Sequence, residues 1–138
     1  MSHARRATLE QVPLFAGLDR SDLDAVDAIS VEQDFPPGEV LIDENEPGRS
    51  FFVLLEGEAE VRRNGTQLNR LGPGDFFGEI SLLSDRPTTA SVTTTAPSRV
   101  LLIAPRDFRQ LLESVPLMQM KVIRALADRL PDEFYWAG

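Results

Sequence analysis

The stretch that decides the fold is residues 76–92, which reads FFGEISLLSDRPTTASV. Gly78 carries no Cβ, so the backbone at this position can come close to a neighbouring group. The residues from Glu79 onward can form one helical turn, whose free N–H groups would make an anion site. An ionised carboxylate only accepts hydrogen bonds, so Glu79 would pair with hydroxyl donors such as those of a ribose. The stretch therefore predicts a site for a sugar phosphate.

Around this stretch, short apolar runs alternate with turn signals. Three Pro-Gly pairs suit type II turns, and Asn64-Gly65 predicts a two-residue hairpin loop. Phe51–Leu55 is one of the apolar runs between these signals and has the length of a strand. We predict a mainly β fold: an eight-stranded jelly-roll (double-stranded β-helix) barrel with N-terminal helices and two C-terminal helices.

The helical parts of the chain flank the predicted barrel. The predicted organisation is one domain, with a mobile tail over 1–7, a helical segment over 8–30, the barrel over 31–104, C-terminal helices over 105–130 and a tail over 131–138. Asp19 suits the N-cap of a helix in the first segment. The helix over 116–130 has an apolar surface wider than one stripe. A homodimer through this helix is therefore an alternative to core packing alone.

Composition excludes several classes of function. The chain has 138 residues, a net charge of −8, no cysteine and a single histidine, His3. The acidic balance argues against nucleic-acid binding, and we interpret the Arg5-Arg6 and Arg62-Arg63 pairs as solvated surface. His3 alone supports neither a transition-metal site nor a Ser/His/acid set. The sequence has no membrane-length apolar run and no signal peptide, so we expect a cytoplasmic protein that does not bind a membrane. Because it offers no catalytic or metal-binding set, we also expect that it is not an enzyme and needs no cofactor.

Residues 76–92 resemble the phosphate-binding cassette of cyclic nucleotide-binding domains, as in protein kinase A regulatory subunits and catabolite activator proteins. The positions that match the family pattern are Phe77, Gly78, Glu79, Ile80, Ser81, Leu82, Leu83, Pro87, Thr89, Ala90, Ser91 and Val92. The resemblance extends from about Leu14 to Leu130. It implies a small bacterial-type sensing domain for cAMP or cGMP, whose C-terminal helices move on binding. Catabolite activators add a helix-turn-helix, for which too few residues follow Leu130, so we expect no DNA binding.

The resemblance also implies roles for individual residues. The candidate ligand-binding residues are Leu71, Phe76, Gly78, Glu79, Ile80, Ser81, Arg86, Thr88, Thr89 and Ala90. Glu79 would accept a hydrogen bond from the ribose 2′-hydroxyl, whereas Gly78, Ser81 and Thr89 would line the phosphate. Ala90 would let its strand pass beneath the ligand. Leu71 and Phe76 would form an apolar wall around the base.

Thr88 departs from the family pattern, because it occupies the position of the arginine that pairs with the cyclic phosphate. A charge-assisted bond of this kind is worth roughly 1.5–3 kcal/mol, or about 10- to 150-fold in affinity. Three interpretations stay open. The site is weakened, it is rebuilt around Arg86 or Arg99, or the barrel no longer binds and acts as a protein-interaction or dimerisation domain.

Overall fold

The computed structural model describes residues 1–44, 46–84, 88 and 90–129. In chain order the elements are α1 (His3–Glu10), a 3-10 turn (Pro13–Phe15), α2 (Arg20–Ile29), β1 (Ser30–Phe35), β2 (Val40–Ile42), β3 (Phe51–Glu56), β4 (Ala59–Arg63), β5 (Thr66–Leu71), β6 (Phe76–Phe77), α3 (Glu79–Ser84), β7 (Ser91–Thr94), β8 (Ser98–Ile103), α4 (Pro105–Ser114) and α5 (Pro116–Arg129). The predicted tail over 131–138 lies outside the described residues.

The strands form two antiparallel sheets of four strands each. Their orders are β1-β8-β3-β6 and β2-β7-β4-β5. Asn64 and Gly65 have φ of 51° and 79° and join β4 to β5, as the hairpin prediction requires for a two-residue turn with positive φ at both positions. The prediction of a mainly β fold with flanking helices is confirmed.

Strand β3 is buried on both faces, which explains its unbroken apolar sequence. Successive side chains of a strand point to opposite sides. Phe51 and Val53 accordingly pack in the core shared with the helices, whereas Phe52 and Leu54 pack in the core between the two sheets. A strand covered on both sides reads as a continuous hydrophobic run rather than an alternating one. β3 therefore contributes to both cores, as does β8 through Leu101 and Ile103 on one face and Val100 on the other.

Helix α4 covers the outer face of β3. Its apolar residues recur with helical spacing, and Phe108, Leu111 and Leu112 are all buried. The ring of Phe108 stacks on that of Phe51, with centroids 4.1 Å apart and planes 11° from parallel. This contact attaches the C-terminal helices to the sheet at its centre.

The predicted mobile tail over 1–7 is wrong, because α1 begins at His3. The Ser2 hydroxyl caps the helix by accepting from the Arg5 backbone N–H at 3.1 Å. The Arg5 side chain, interpreted above as solvated surface, is only 16% exposed and its guanidinium pairs with Asp27 at 2.8 Å and with Glu32. These ion pairs dock α1 against the corner between α2 and β1.

Candidate functional site

A cavity of about 260 Å³ opens between β2, the end of β6 and the loop that joins β2 to β3. We name residues 43–50 the rim loop; the structure describes all of them except residue 45. The cavity is lined by Val40, Leu41, Ile42, Asp43, Glu46, Pro47, Gly48, Arg49, Ser50, Phe52, Gly78 and Thr88. This volume lies just below the range of roughly 300–1,000 Å³ that is typical of small-molecule sites.

Gly78, directly after β6, lies close to the end of the rim loop. Its φ is +93°, and a Cβ at this position would lie 2.7 Å from the carbonyl oxygen of Ser50. Both features require glycine, since a side chain would be strained and would collide with main chain. The close approach expected at Gly78 is thus present, and the group that approaches is the rim loop. Phe77, just before it, stacks on the cavity residue Phe52 with ring centroids 5.0 Å apart.

Glu79 is the first residue of α3 and is 1% exposed. The preceding residue, Gly78, lines the cavity, so the carboxylate belongs to a residue directly adjoining it and is shielded from bulk solvent. Hydrogen bonds to a charged acceptor are stronger in such surroundings than in water. Glu79 itself is not among the lining residues, so the structure places a buried acceptor next to the cavity and not in its wall.

Thr88 fastens the rim loop to the cavity. It is 7% exposed, and its backbone N–H donates to the carbonyl oxygen of Glu46 at 2.9 Å. Its hydroxyl donates to the carbonyl oxygen of Asp43 and lies 3.1 Å from that of Glu46. The position at which the family pattern has an arginine is thus used in this chain to hold a loop.

Leu71 and Phe76, which the resemblance assigns to the wall around the base, both pack in a hydrophobic core. Leu71 is 5% exposed in the core between the sheets, and Phe76 packs against the core shared with the helices. Neither lines the cavity, whose apolar side is made by β2 and Phe52. Ala90 is half-buried and is likewise not part of the lining.

The arginine replacements considered above have different outcomes. Arg99 lies on the exposed face of β8 and pairs with Asp34 at 3.0 Å; this hydrogen bond and the charge of Asp34 raise the pKa of Arg99. It does not line the cavity, so a site rebuilt around Arg99 is not supported. Arg86 and Thr89 lie outside the described residues, as do the side chains of Ile80 and Ser81, and their roles stay predictions.

The rim loop forms a wall of the cavity that was not predicted from the sequence. This loop supplies the cavity's charged residues Asp43, Glu46 and Arg49. The available signal is a concentration of charged residues between two apolar runs, around one of the three Pro-Gly pairs that suit type II turns. Within the described part of the chain, no cluster of three metal-ligating side chains is present. No described helix is long and apolar enough to cross a membrane.

Two four-stranded sheets, with a cavity between β2, the end of β6 and the rim loop, define a β domain with a candidate small-molecule site. Comparison with known proteins is more specific: the profile of the cyclic nucleotide-binding domain matches residues 32–115. The chain belongs to the cyclic nucleotide-binding domain family. It is 37% identical over 107 residues to a cAMP-dependent protein kinase regulatory subunit of Hypocrea atroviridis, covering 78% of this chain and 23% of the relative. It spans between 23% and 29% of the length of such fungal subunits.

Solved structures share the fold. The catabolite activator protein of Thermus thermophilus superposes with a TM-score of 0.77 at 26% identity, over 91% of this chain and 61% of that chain. The regulatory subunit of a cAMP-independent protein kinase A from Trypanosoma brucei superposes with a TM-score of 0.82 at 23% identity, over 97% and 49%. A triple variant of that subunit, which includes a threonine-to-arginine exchange, is described as bound to cAMP in its A site. Because the sequence relatives are fungal, the expected bacterial type is not supported.

Proposed function

We propose that this chain is a regulatory module that binds a cyclic nucleotide weakly and responds by shifting its C-terminal helices. The observation that carries the proposal is the cavity bounded by Gly78 and adjoined by the buried Glu79, in a chain of this family. We also infer that the two sheets close as a jelly-roll barrel around the ligand. The fungal relatives, named as regulatory subunits of cAMP-dependent kinases, make cAMP the first ligand to test.

In this proposal Glu79 reads the sugar. An ionised carboxylate has only acceptor sites, so it favours a ligand that offers a hydroxyl, such as the ribose 2′-hydroxyl. A site built to pair with a hydroxyl discriminates strongly against an analogue that lacks it, because the buried acceptor then loses its partner. The ribose contact is thus the property that distinguishes this proposal from a cavity of general affinity.

Thr88 makes the proposed binding weak. Its hydroxyl is engaged by the rim loop and carries no charge, so the phosphate gains no ion pair at this position. The loss of about 10- to 150-fold would place binding that is micromolar with an arginine between roughly 10 µM and 0.2 mM. The cAMP-bound variant of the Trypanosoma brucei subunit shows that a threonine-to-arginine exchange is compatible with cAMP binding in that protein.

The test is titration calorimetry with cAMP, cGMP and 2′-deoxy-cAMP at concentrations up to several millimolar. We expect heat with at least one cyclic nucleotide and a loss of about tenfold or more with the deoxy analogue. Glu79→Gln should remove this difference, whereas Glu113→Gln, an exposed exchange on α4, should keep it. Absence of heat with both nucleotides at millimolar concentration refutes the proposal. If Glu79→Gln fails to fold, the comparison of ligands on the unaltered protein decides.

A second candidate function is dimerisation with another copy of this chain through α5. One face of this helix buries Met118 and Val122, whereas Leu117, Met120 and Ile123 are 42%, 50% and 57% exposed. Apolar residues scattered singly on a surface are normal, whereas several exposed large apolar side chains on one helix favour an interaction surface. In this alternative the barrel is retained as a scaffold and the cavity is silent.

Light scattering after gel filtration separates the two candidates. A dimer that Ile123→Glu converts to a monomer, in a protein that gives no heat with cyclic nucleotides, would establish the second function. Arg124→Glu, at the adjacent exposed position, is the control for a charge placed on α5. A monomer at high protein concentration rules out the dimer.

A further inference from the structure

The charged side chains that line the cavity all come from the rim loop. Asp43 and Glu46 contribute two acids, and Arg49 is the one cation among the described lining residues. Its side chain is exposed and makes no ion pair within the described part of the chain. The cavity thus has a single positive group that is available to a ligand.

The position of Arg49 is fixed at both ends of the loop. On one side, Thr88 holds the carbonyl oxygens of Asp43 and Glu46. On the other side, the carbonyl oxygen of the next residue, Ser50, lies against Gly78. The backbone that carries the Arg49 side chain is thus held on both sides, and Arg49 lies one residue before the contact between Ser50 and Gly78.

The charge balance of the lining makes this placement significant. With two carboxylates and one guanidinium, the lining has a net charge of −1 when all three groups are ionised. An anionic group would be repelled by Asp43 and Glu46 unless it lay against the guanidinium. Arginine is suited to this task, because its planar fork of donors can bind two phosphate oxygens at once.

We infer that Arg49 is a specificity-determining residue that holds the anionic group of the ligand, in place of the arginine that position 88 lacks. The inference rests on the proposed function, since it assumes a phosphate-bearing ligand. It assigns the compensating cation to the rim loop and not to the stretch over 76–92. It also gives the acids of the rim loop a role, because they disfavour anions placed away from Arg49.

The experiment is a thermodynamic cycle that combines removal of the Arg49 charge with removal of the phosphate from the ligand. Arg49→Gln and the unaltered protein are titrated calorimetrically with cAMP and with adenosine, which lacks the phosphate. We expect Arg49→Gln to weaken cAMP binding about tenfold or more and to leave adenosine binding unchanged. Arg106→Gln, an exposed exchange of equal charge on α4, should alter neither. Since the contact is ionic, the salt dependence of cAMP affinity should become flatter in Arg49→Gln.

Each outcome decides a different question. cAMP binding that Arg49→Gln leaves unchanged overturns the role of Arg49 and leaves the proposed function intact. An equal loss for cAMP and adenosine also overturns it, because the side chain would then act on the loop or the nucleoside. If adenosine gives no heat, an unaltered salt dependence overturns it. Absence of cAMP binding by the unaltered protein refutes the proposed function and this inference together.

Discussion

Replacing Thr88 by arginine adds a cation to the cavity and removes an anchor of the rim loop. A guanidinium paired with the cyclic phosphate contributes about 1.5–3 kcal/mol. Against this, the lost hydroxyl bonds to the carbonyl oxygens of Asp43 and Glu46 cost about 0.5–1.5 kcal/mol of loop anchoring. The backbone N–H bond to Glu46 survives any side-chain exchange. We therefore expect Thr88→Arg to bind cAMP about tenfold more tightly than the unaltered protein.

Thr88→Val is the matched control for this prediction. Valine nearly preserves the shape of threonine but loses the hydroxyl, so it isolates the anchoring of the rim loop. It should lower the free energy of unfolding by about 1 kcal/mol in urea titrations. It should not strengthen cAMP binding. If calorimetry finds that Thr88→Arg binds cAMP no more tightly than Thr88→Val, a guanidinium at position 88 does not reach the phosphate and the reasoning is refuted.

Two further predictions concern stability and are read by urea unfolding. Gly57→Ala should lower the free energy of unfolding by about 2–4 kcal/mol, because φ is +101° and the new Cβ would lie 2.2 Å from the Ser98 hydroxyl oxygen. A decrease below about 1 kcal/mol would show that the turn relaxes and would contradict the prediction. Asp19→Ala should lose about 1 kcal/mol, since the carboxylate caps α2 by accepting from the Asp22 N–H at 2.8 Å. Ser21→Ala is the control for the second exchange, and an equal loss there would contradict the cap.

The parts of the fold that could be predicted from sequence are those set by local chemistry. Asn64 and Gly65 determine a hairpin through their own positive φ, and Asp19 caps its helix through a bond three residues away. Each of these signals depends on a few adjacent residues, so it can be recognised in a single sequence without knowledge of the fold.

The parts that could not be predicted depend on contacts between distant residues. Helix α1 has a polar first half. It is held in place by Arg5, which pairs with Asp27 and Glu32, and these acids lie 22 and 27 positions further along the chain. The wall of the cavity depends on how the rim loop folds across onto Gly78 and Thr88, which no local pattern records. The core packing of Leu71 and Phe76 likewise depends on residues far away in the sequence, and neither residue lines the cavity.

The way in which Thr88 holds the rim loop has a consequence for engineering. Both acceptors of the Thr88 hydroxyl are main-chain carbonyl oxygens, so these hydrogen bonds do not depend on the side chains at positions 43 and 46. Those two positions and position 49 can therefore be randomised together while residue 88 keeps the backbone in place. Screening such a library with ligands of different charge would measure how far the charge of the rim loop sets the specificity of this β domain.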